Sequence, residues 1–469
     1  MSYSSDVIVV GGGLSGLQAA VSIHKAGHSV IVLEAQDRVG GKTLTADASE
    51  RGGKIDMGAA WINDTSQSKI YALAKKYDFD LVQQRAEGIS IFETQDGSTS
   101  TYPYGQLPAI GNEEDMIKLN EFIQHFNKLV YDSNLEHPHL GIDAEELDKI
   151  SVKDYLEKAG GDPLLLDTVS LLCRALLGAD CEEMSLLFLI NYVKSGTGLH
   201  NISSDRKDGG QYLRNRQGNQ TFCERLAAEL PVGTTRTFTP VTRITTQNDG
   251  VRVDTPHRGT FTARKVVVSI PTTLYPTIKF SPALPENKRT LADSTALGYW
   301  AKTVFVFSDP WWLEANLSGG FTSFRGPAST SRDTSVNADG QYSITMFLVG
   351  DMGRRWSKFP AAERRRQGTA QMRSLFGTAL KEVGREDIQI PEPINVIEKE
   401  WTKDPWTWGG PSPVIMPGVL TSDAGKEMRD PVGNIYFAGT ELAVKWKGYM
   451  EGALRSGEAT AAEVVKSLG

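Results

Sequence analysis

Hydrophobic and polar positions follow three rhythms along the chain. Val7-Ile-Val-Val10 is an unbroken β-branched run, which predicts a parallel strand buried on both faces. From residue 14 to 26, Leu14, Leu17, Ala20, Val21 and Ile23 recur at helical spacing until Gly27 stops them, and residues 29–33 form a second apolar run that closes on Glu34. Helical spacing returns over 113–193, with an amphipathic stretch at 116–130, and again in a long polar helix at 361–384. Short strands fill 235–270, punctuated by Asn248-Asp-Gly250 and Pro271. Residues 298–307 alternate with period two, so Trp300, Lys302, Val304 and Val306 share one face and Ala301, Thr303, Phe305 and Phe307 the other.

Between the first strand and the first helix lies Gly11-Gly-Gly-Leu-Ser-Gly16, a GxGxxG turn at Gly11, Gly13 and Gly16. The first glycine permits the tight turn, the second lets backbone approach a pyrophosphate, and the third lets helix and strand pack closely. Leu14 and Ser15 open a helix whose positive end faces the phosphates. Glu34 stands 18 residues beyond Gly16 at the tip of the second strand, where its carboxylate can accept ribose hydroxyls. Strand, turn, helix, strand and acid all fall where dinucleotide binding needs them, and both NAD and FAD use this unit.

The following residues decide between the two. Glu34-Ala35-Gln-Asp-Arg38-Val-Gly40-Gly41-Lys42 resembles the extended FAD fingerprint of the flavin amine oxidase family, although Lys42 replaces the usual arginine, keeping the charge and losing the bidentate fork. Gly58-Ala59-Ala60-Trp61 resembles the family's next segment, whose small residues and aromatic lie beside the flavin. Gly439-Thr440-Glu441, followed by Gly448-Tyr449-Met450-Glu-Gly-Ala453, is similar to the monoamine oxidase pattern. The resemblance spans essentially the whole chain. Within the family, the subfamily that the resemblance leads one to expect is the fungal amine oxidases, among them those acting on the long-chain amines called fumonisins.

That resemblance implies an α/β fold: an FAD-binding Rossmann-like domain of the GR2 type, interleaved with an α+β substrate-binding domain. The expected division assigns 1–78, 209–284 and 396–469 to the cofactor and 79–208 and 285–395 to the substrate. FAD is expected on Gly11, Gly13, Leu14, Ser15, Gly16, Glu34, Ala35, Arg38, Gly41, Lys42, Gly58, Ala59, Ala60, Trp61, Val241, Gly439, Thr440, Glu441, Tyr449 and Met450. Lys302 resembles the family's lysine that holds a water against flavin N5, and Tyr449 one wall of an aromatic cage around the amine. Aligned on the diglycine Gly409-Gly410, Pro411 stands where animal monoamine oxidases carry the cysteine bound to flavin, so the flavin is expected to be non-covalent. Ser412 stands where they carry the second tyrosine. Gln211, Ile202 and Cys173 are further expected to line the substrate cavity, as are Leu171 and Ile190, with Trp408 or Trp446 as a replacement wall.

The expected reaction takes a small-molecule amine to an imine with dioxygen reduced to hydrogen peroxide. The room left opposite Tyr449 predicts a bulky or long-chain amine. An L-amino-acid oxidase would need an arginine in the cavity, for which Arg214 and Arg216 are the nearest in sequence; a polyamine oxidase would need acids there, such as Glu182 or Glu183. A flavin-bound scaffold of another class would need an inserted helical tower, and the chain has no length for one.

Composition narrows the field further. A net charge of -7 gives no basic field for nucleic acid. Cys173, Cys181 and Cys223 have no ligand spacing, and His137 and His139 sit in a polar loop stretch, so no metal is expected. The apolar runs are too short for a membrane span. A cytoplasmic protein, with a homodimer as the assembly to look for, is the resulting expectation.

Overall fold

The computed structural model describes residues 2–469. Its first sheet has eight strands, and its centre is the strand Ser2–Val10, which pairs in parallel with Val30–Leu33 on one side and Gly259–Val268 on the other. Val7, Ile8, Val9 and Val10 are all buried, as a strand covered on both faces requires. Ile435–Phe437 pairs in parallel with Val266, Val267 and Val268, so the two ends of the chain meet within one sheet. The strands Gly250–Thr255 and Arg243–Gln247 extend it as an antiparallel ribbon.

The helix Leu14–Lys25 lies against the C-terminal helix Met450–Leu468. Their contact is close because Gly457 lacks a side chain: a Cβ there would come 2.3 Å from the Ser15 carbonyl oxygen. Likewise a Cβ on Gly16 would come 2.1 Å from the Gly11 carbonyl oxygen, which is why the third glycine of the turn packs helix on strand.

A second sheet of seven strands runs in the order 395–400, 300–307, 342–349, 330–333, 317–323, 89–93, 99–103. Trp300–Phe307 is interior to this sheet, hydrogen-bonded on one edge to Tyr342–Val349 and on the other to Asn395–Glu400. Its alternation separates two buried clusters. Val304 and Val306 pack with Ala48, Ile55 and Met57, while Ala301, Phe305 and Phe307 pack with Trp311, Trp312 and the helix Ala361–Glu382. A lysine in this strand is therefore central and buried rather than on a solvated edge.

Between the sheets in sequence lies a helical region, including Glu113–Asp132, Val152–Lys158, Pro163–Leu177 and Leu186–Ser195. Side chains start several of these helices. Asn112 and Ser151 form reciprocal capping boxes with Asp115 and Asp154, and Asp162 accepts from the Leu165 N–H ahead of a proline at the first helical position. Among the described residues no helix is long and apolar enough to cross a membrane.

Candidate functional site

One large cavity, about 430 Å³, runs from the glycine turn to the second sheet. Its nucleotide end is lined by Gly11, Gly13, Leu14, Ser15, Glu34, Ala35 and Gln36, with Val241 from the loop ahead of Arg243–Gln247. The Glu34 carboxylate accepts from Gly12 N at 2.6 Å and from Gln36 N at 2.7 Å. These bonds fix its position at the strand tip. The helix Leu14–Lys25 has Gly13 as N-cap with no side-chain bond to its first N–H groups, and the buried Ser15 Oγ has no partner. Donors left unmet at a helix N-terminus fit a pyrophosphate.

Two expected contacts in this end act elsewhere. Gly16 packs against Gly11 and does not reach the cavity wall. Arg38 is turned away too: its guanidinium donates to the carbonyls of Thr43 at 3.0 Å and Gly41 at 2.9 Å, pinning the loop that carries Gly41 and Lys42. A fork with several fixed donors is suited to bracing a turn of unpaired carbonyls.

The middle of the cavity is built by backbone brought close. Gly40, Gly41, Lys42, Thr43, Gly58, Ala59, Ala60 and Trp61 line it, together with Gly439, Thr440, Glu441, Tyr449 and Met450 from the C-terminal part of the chain. A Cβ on Gly58 would stand 1.9 Å from the Lys42 carbonyl oxygen, so these two loops touch only because residue 58 has no side chain. Lys42 Nζ donates to the Pro411 carbonyl at 3.1 Å, and burial draws this ammonium down to about 8. Tyr449 caps the C-terminal helix Met450–Leu468, whose first turn has no side-chain cap.

Lys302 closes the floor. Its Nζ donates to the carbonyls of Asp56 at 2.9 Å and Gly58 at 2.6 Å and lies 5.5 Å from the ring centroids of both Trp61 and Phe347. The residue is only 2 % exposed, and burial draws its pKa down to about 8, with the nearby Asp56 carboxylate opposing the shift. Tyr449 lines the same cavity. Gln211 donates to its phenol oxygen at 3.4 Å and to the Ile202 carbonyl at 3.1 Å, leaving the buried Gln211 Oε1 without a partner. Gln211 and Ile202 both line the cavity.

Six expected wall residues do not. Cys173 faces the protein core, its sulfur 3.8 Å from that of Cys181, whereas Leu172, Ala175 and Leu176 of the same helix line the cavity. Adjacent helical positions are about 100° apart, so a one-residue error changes the face. Leu171 and Ile190 also belong to the core. Ser412 is buried behind the wall, in a small separate void with Phe188, Tyr192 and Lys447, and it is Gly410 and Pro411 that face the main cavity. Trp408 points outward, 44 % exposed at a residue with φ of 57°, while Trp406 of the same turn lines the cavity. Trp446 backs Tyr449 edge-on at 4.9 Å without reaching the cavity.

Several wall residues have no signature in the sequence: Tyr192, Thr330, Arg332 and Phe347. Period-two alternation marks 342–349 as a strand, but only the pairing register brings Phe347 opposite both Lys302 and Thr330. The arginines near Gln211 are engaged elsewhere. Arg214 donates to the carbonyls of Thr334 and Ser335, and Arg216 pairs with Asp339. Glu183 pairs with Arg354, and neither it nor Glu182 lines the cavity.

Similar proteins fit this geometry. The sequence profile of the flavin containing amine oxidoreductases matches residues 14–465. AofH of Mycobacterium tuberculosis, named as a flavin-containing monoamine oxidase, is 31% identical over 99% of this chain and 98% of its own. Two solved structures superpose along nearly the full length. Putrescine oxidase bound to putrescine gives a TM-score of 0.89 at 25% identity, covering 99% of this chain and 100% of that one. Cyclohexylamine oxidase from Brevibacterium oxydans IH-35A gives 0.89 at 28% identity, covering 99% of both.

Proposed function

The chain belongs to the flavin-containing amine oxidoreductases and is an FAD-dependent amine oxidase, and on that premise we propose that it oxidises bulky or long-chain primary amines with dioxygen, releasing hydrogen peroxide. The observation that carries this reading is the arrangement around Lys302. A buried ammonium, two aromatic faces and Tyr449 share one cavity with an uncapped dinucleotide turn.

The flavin, when bound, supplies the two-electron chemistry: it takes a hydride equivalent from the carbon bearing the amine and returns the electrons to dioxygen. An amine and dioxygen thereby become an imine and hydrogen peroxide, and water takes the imine to a carbonyl compound and ammonia. Protein groups supply position, dryness and charge. Gly13, Ser15 and Glu34 would hold the adenosine and pyrophosphate end, and the loops at Gly41, Gly58 and Thr440 would hold the rest. Pro411, where the resemblance places the attachment cysteine, offers no thiol, so the cofactor would be held without a covalent bond.

Tyr449 orients the amine from one side, and Gln211 holds the Tyr449 phenol in place by donating to its oxygen. Lys302 presents positive charge where reduced dioxygen accumulates negative charge, as the family resemblance assigns through a water. Room for a large substituent comes from Gly410 and Pro411 in the wall and from the apolar surface of Leu172, Leu176, Ile202 and Phe347. Each buried methylene of a ligand filling that surface gains about 0.8 kcal/mol.

The test is peroxide release by the purified flavoprotein across butylamine, octylamine, dodecylamine and branched or cyclic primary amines. Rising kcat/KM with apolar bulk is expected. A preference for butylamine, or flavin reduction by amines without peroxide on admission of air, would refute the reading.

A further inference from the structure

Arg332 stands in the cavity wall with only part of its guanidinium engaged. Its Nη1 donates to the Tyr104 phenol oxygen at 3.0 Å and pairs with the buried Asp205 carboxylate. Among the described residues nothing hydrogen-bonds Nε or Nη2, and 29% of the side chain stays accessible, toward the cavity it lines. A guanidinium is always charged and presents donors in a planar fork, so the free edge is built to receive a second acceptor, best a carboxylate.

The sheet register sets how far this edge is from the reacting end. Lys302, Phe347 and Thr330 lie opposite one another on three adjacent strands, and Arg332 is two residues beyond Thr330 on the same face. With strand spacing and rise, the Cα atoms of Lys302 and Arg332 are about 12 Å apart. Their charged heads are held by different parts of the chain. Lys302 turns to the carbonyls of Asp56 and Gly58; Arg332 turns to Tyr104 at the end of the hairpin 89–103 and to Asp205. The aromatic face of Phe347 lies in the row between them.

We propose that Arg332 is a specificity-determining residue that binds a carboxylate carried by the substrate several bonds from its amine, so that amines with a remote carboxylate are preferred over plain alkylamines and over diamines. This rests on the amine-oxidase reading of the same cavity. Apolar contacts along the wall hold the spacer, and the guanidinium repels the second ammonium of a diamine. An α-amino acid, whose carboxylate sits beside the reacting carbon, is expected to meet Arg332 less well than a carboxylate at the far end of a spacer.

The experiment measures kcat/KM for 6-aminohexanoate, 8-aminooctanoate and 12-aminododecanoate against hexylamine, octylamine and dodecylamine, with 1,6-diaminohexane and norleucine alongside. For at least one length the ratio of carboxylated amine to alkylamine is expected to exceed one, with the diamine and norleucine lowest. Arg332→Gln should lower that ratio roughly ten- to hundredfold, the worth of a charge-assisted bond, and Arg332→Lys should restore part of it. Because Arg332→Gln leaves the buried Asp205 carboxylate with the Tyr104 phenol but no cation, the double variant Arg332→Gln with Asp205→Asn is measured too and should show the same fall. A ratio unchanged in both flavin-bound variants overturns the assignment, as does norleucine outrunning 6-aminohexanoate. Absence of turnover with every amine overturns the amine-oxidase reading and the assignment with it.

Discussion

Replacing Lys302 with methionine separates a catalytic lysine from a structural one, because its effects on stability nearly cancel while its effect on oxygen chemistry does not. The ammonium donates to two carbonyls, Asp56 and Gly58, and stranding a buried acceptor costs about 1 to 3 kcal/mol each. Against this, burial holds the lysine at about 8 instead of 10.5, a cost of about 3 kcal/mol that the variant no longer bears. The net change at neutral pH should fall between about 1 kcal/mol of stabilisation and about 3 kcal/mol of destabilisation, so Lys302→Met should fold and keep its flavin. Between pH 8 and 10.5 the unfolded chain binds a proton that the folded chain has released, so wild-type stability rises with pH across that window. The variant lacks this rise. In stopped-flow assays, anaerobic reduction by amine should change little while reoxidation by dioxygen slows about 100-fold, the scale of a lost transition-state charge contact. Wild-type reoxidation should also fall as pH rises through about 8 and the ammonium is lost, and the variant should show no such step. Reoxidation within twofold of wild type, or loss of flavin from a folded variant, would refute the assigned role.

Acid precipitation should leave a colourless pellet and a yellow supernatant; a yellow pellet would mean a covalent flavin despite Pro411. Gly58→Ala should purify with little flavin, because its Cβ would sit 1.9 Å from the Lys42 carbonyl oxygen and force apart the loops that carry Gly58 and Lys42; full flavin occupancy measured by absorbance would contradict this. Leu172→Trp, on the cavity wall, should lower kcat/KM for dodecylamine at least tenfold more than for butylamine, and equal losses would place the long substituent elsewhere. Ser412→Tyr overpacks a closed region beside Tyr192 and should lower stability by about 1 to 3 kcal/mol in urea denaturation. Its effects on short and long amines should be equal, and selective loss of long amines would put residue 412 back in the cavity wall.

Much of the nucleotide end could be read from the chain because its determinants are contiguous. Val7 to Glu34 contains strand, turn, helix, strand and acid in one local unit, and the need for close backbone approach selects glycine at fixed spacing. The same holds for the turn before Met450–Leu468, although joining the two chain ends needed the shared strand Gly259–Val268. Lys302 was legible as one member of an alternating strand, but its burial was not. Alternation is the same on an edge as in the middle of a sheet, and only pairing with both Tyr342–Val349 and Asn395–Glu400 settles which it is.

The substrate end depended on tertiary structure for reasons of angle and register. On the helix Pro163–Leu177 a shift of one position exchanges Cys173 for Leu172, and on the 401–412 turn shifts of two and one positions exchange Trp408 for Trp406 and Ser412 for Pro411. Arg332, Thr330 and Phe347 join Lys302 through strand register between segments far apart in sequence, and nothing local to any of them records the others. The sequence by itself thus determined the chemistry the protein can hold, since phosphate and flavin recognition are written in short backbone motifs. Only the folded sheet decided which side chains surround the amine, because the shape of that wall is set by how distant strands align.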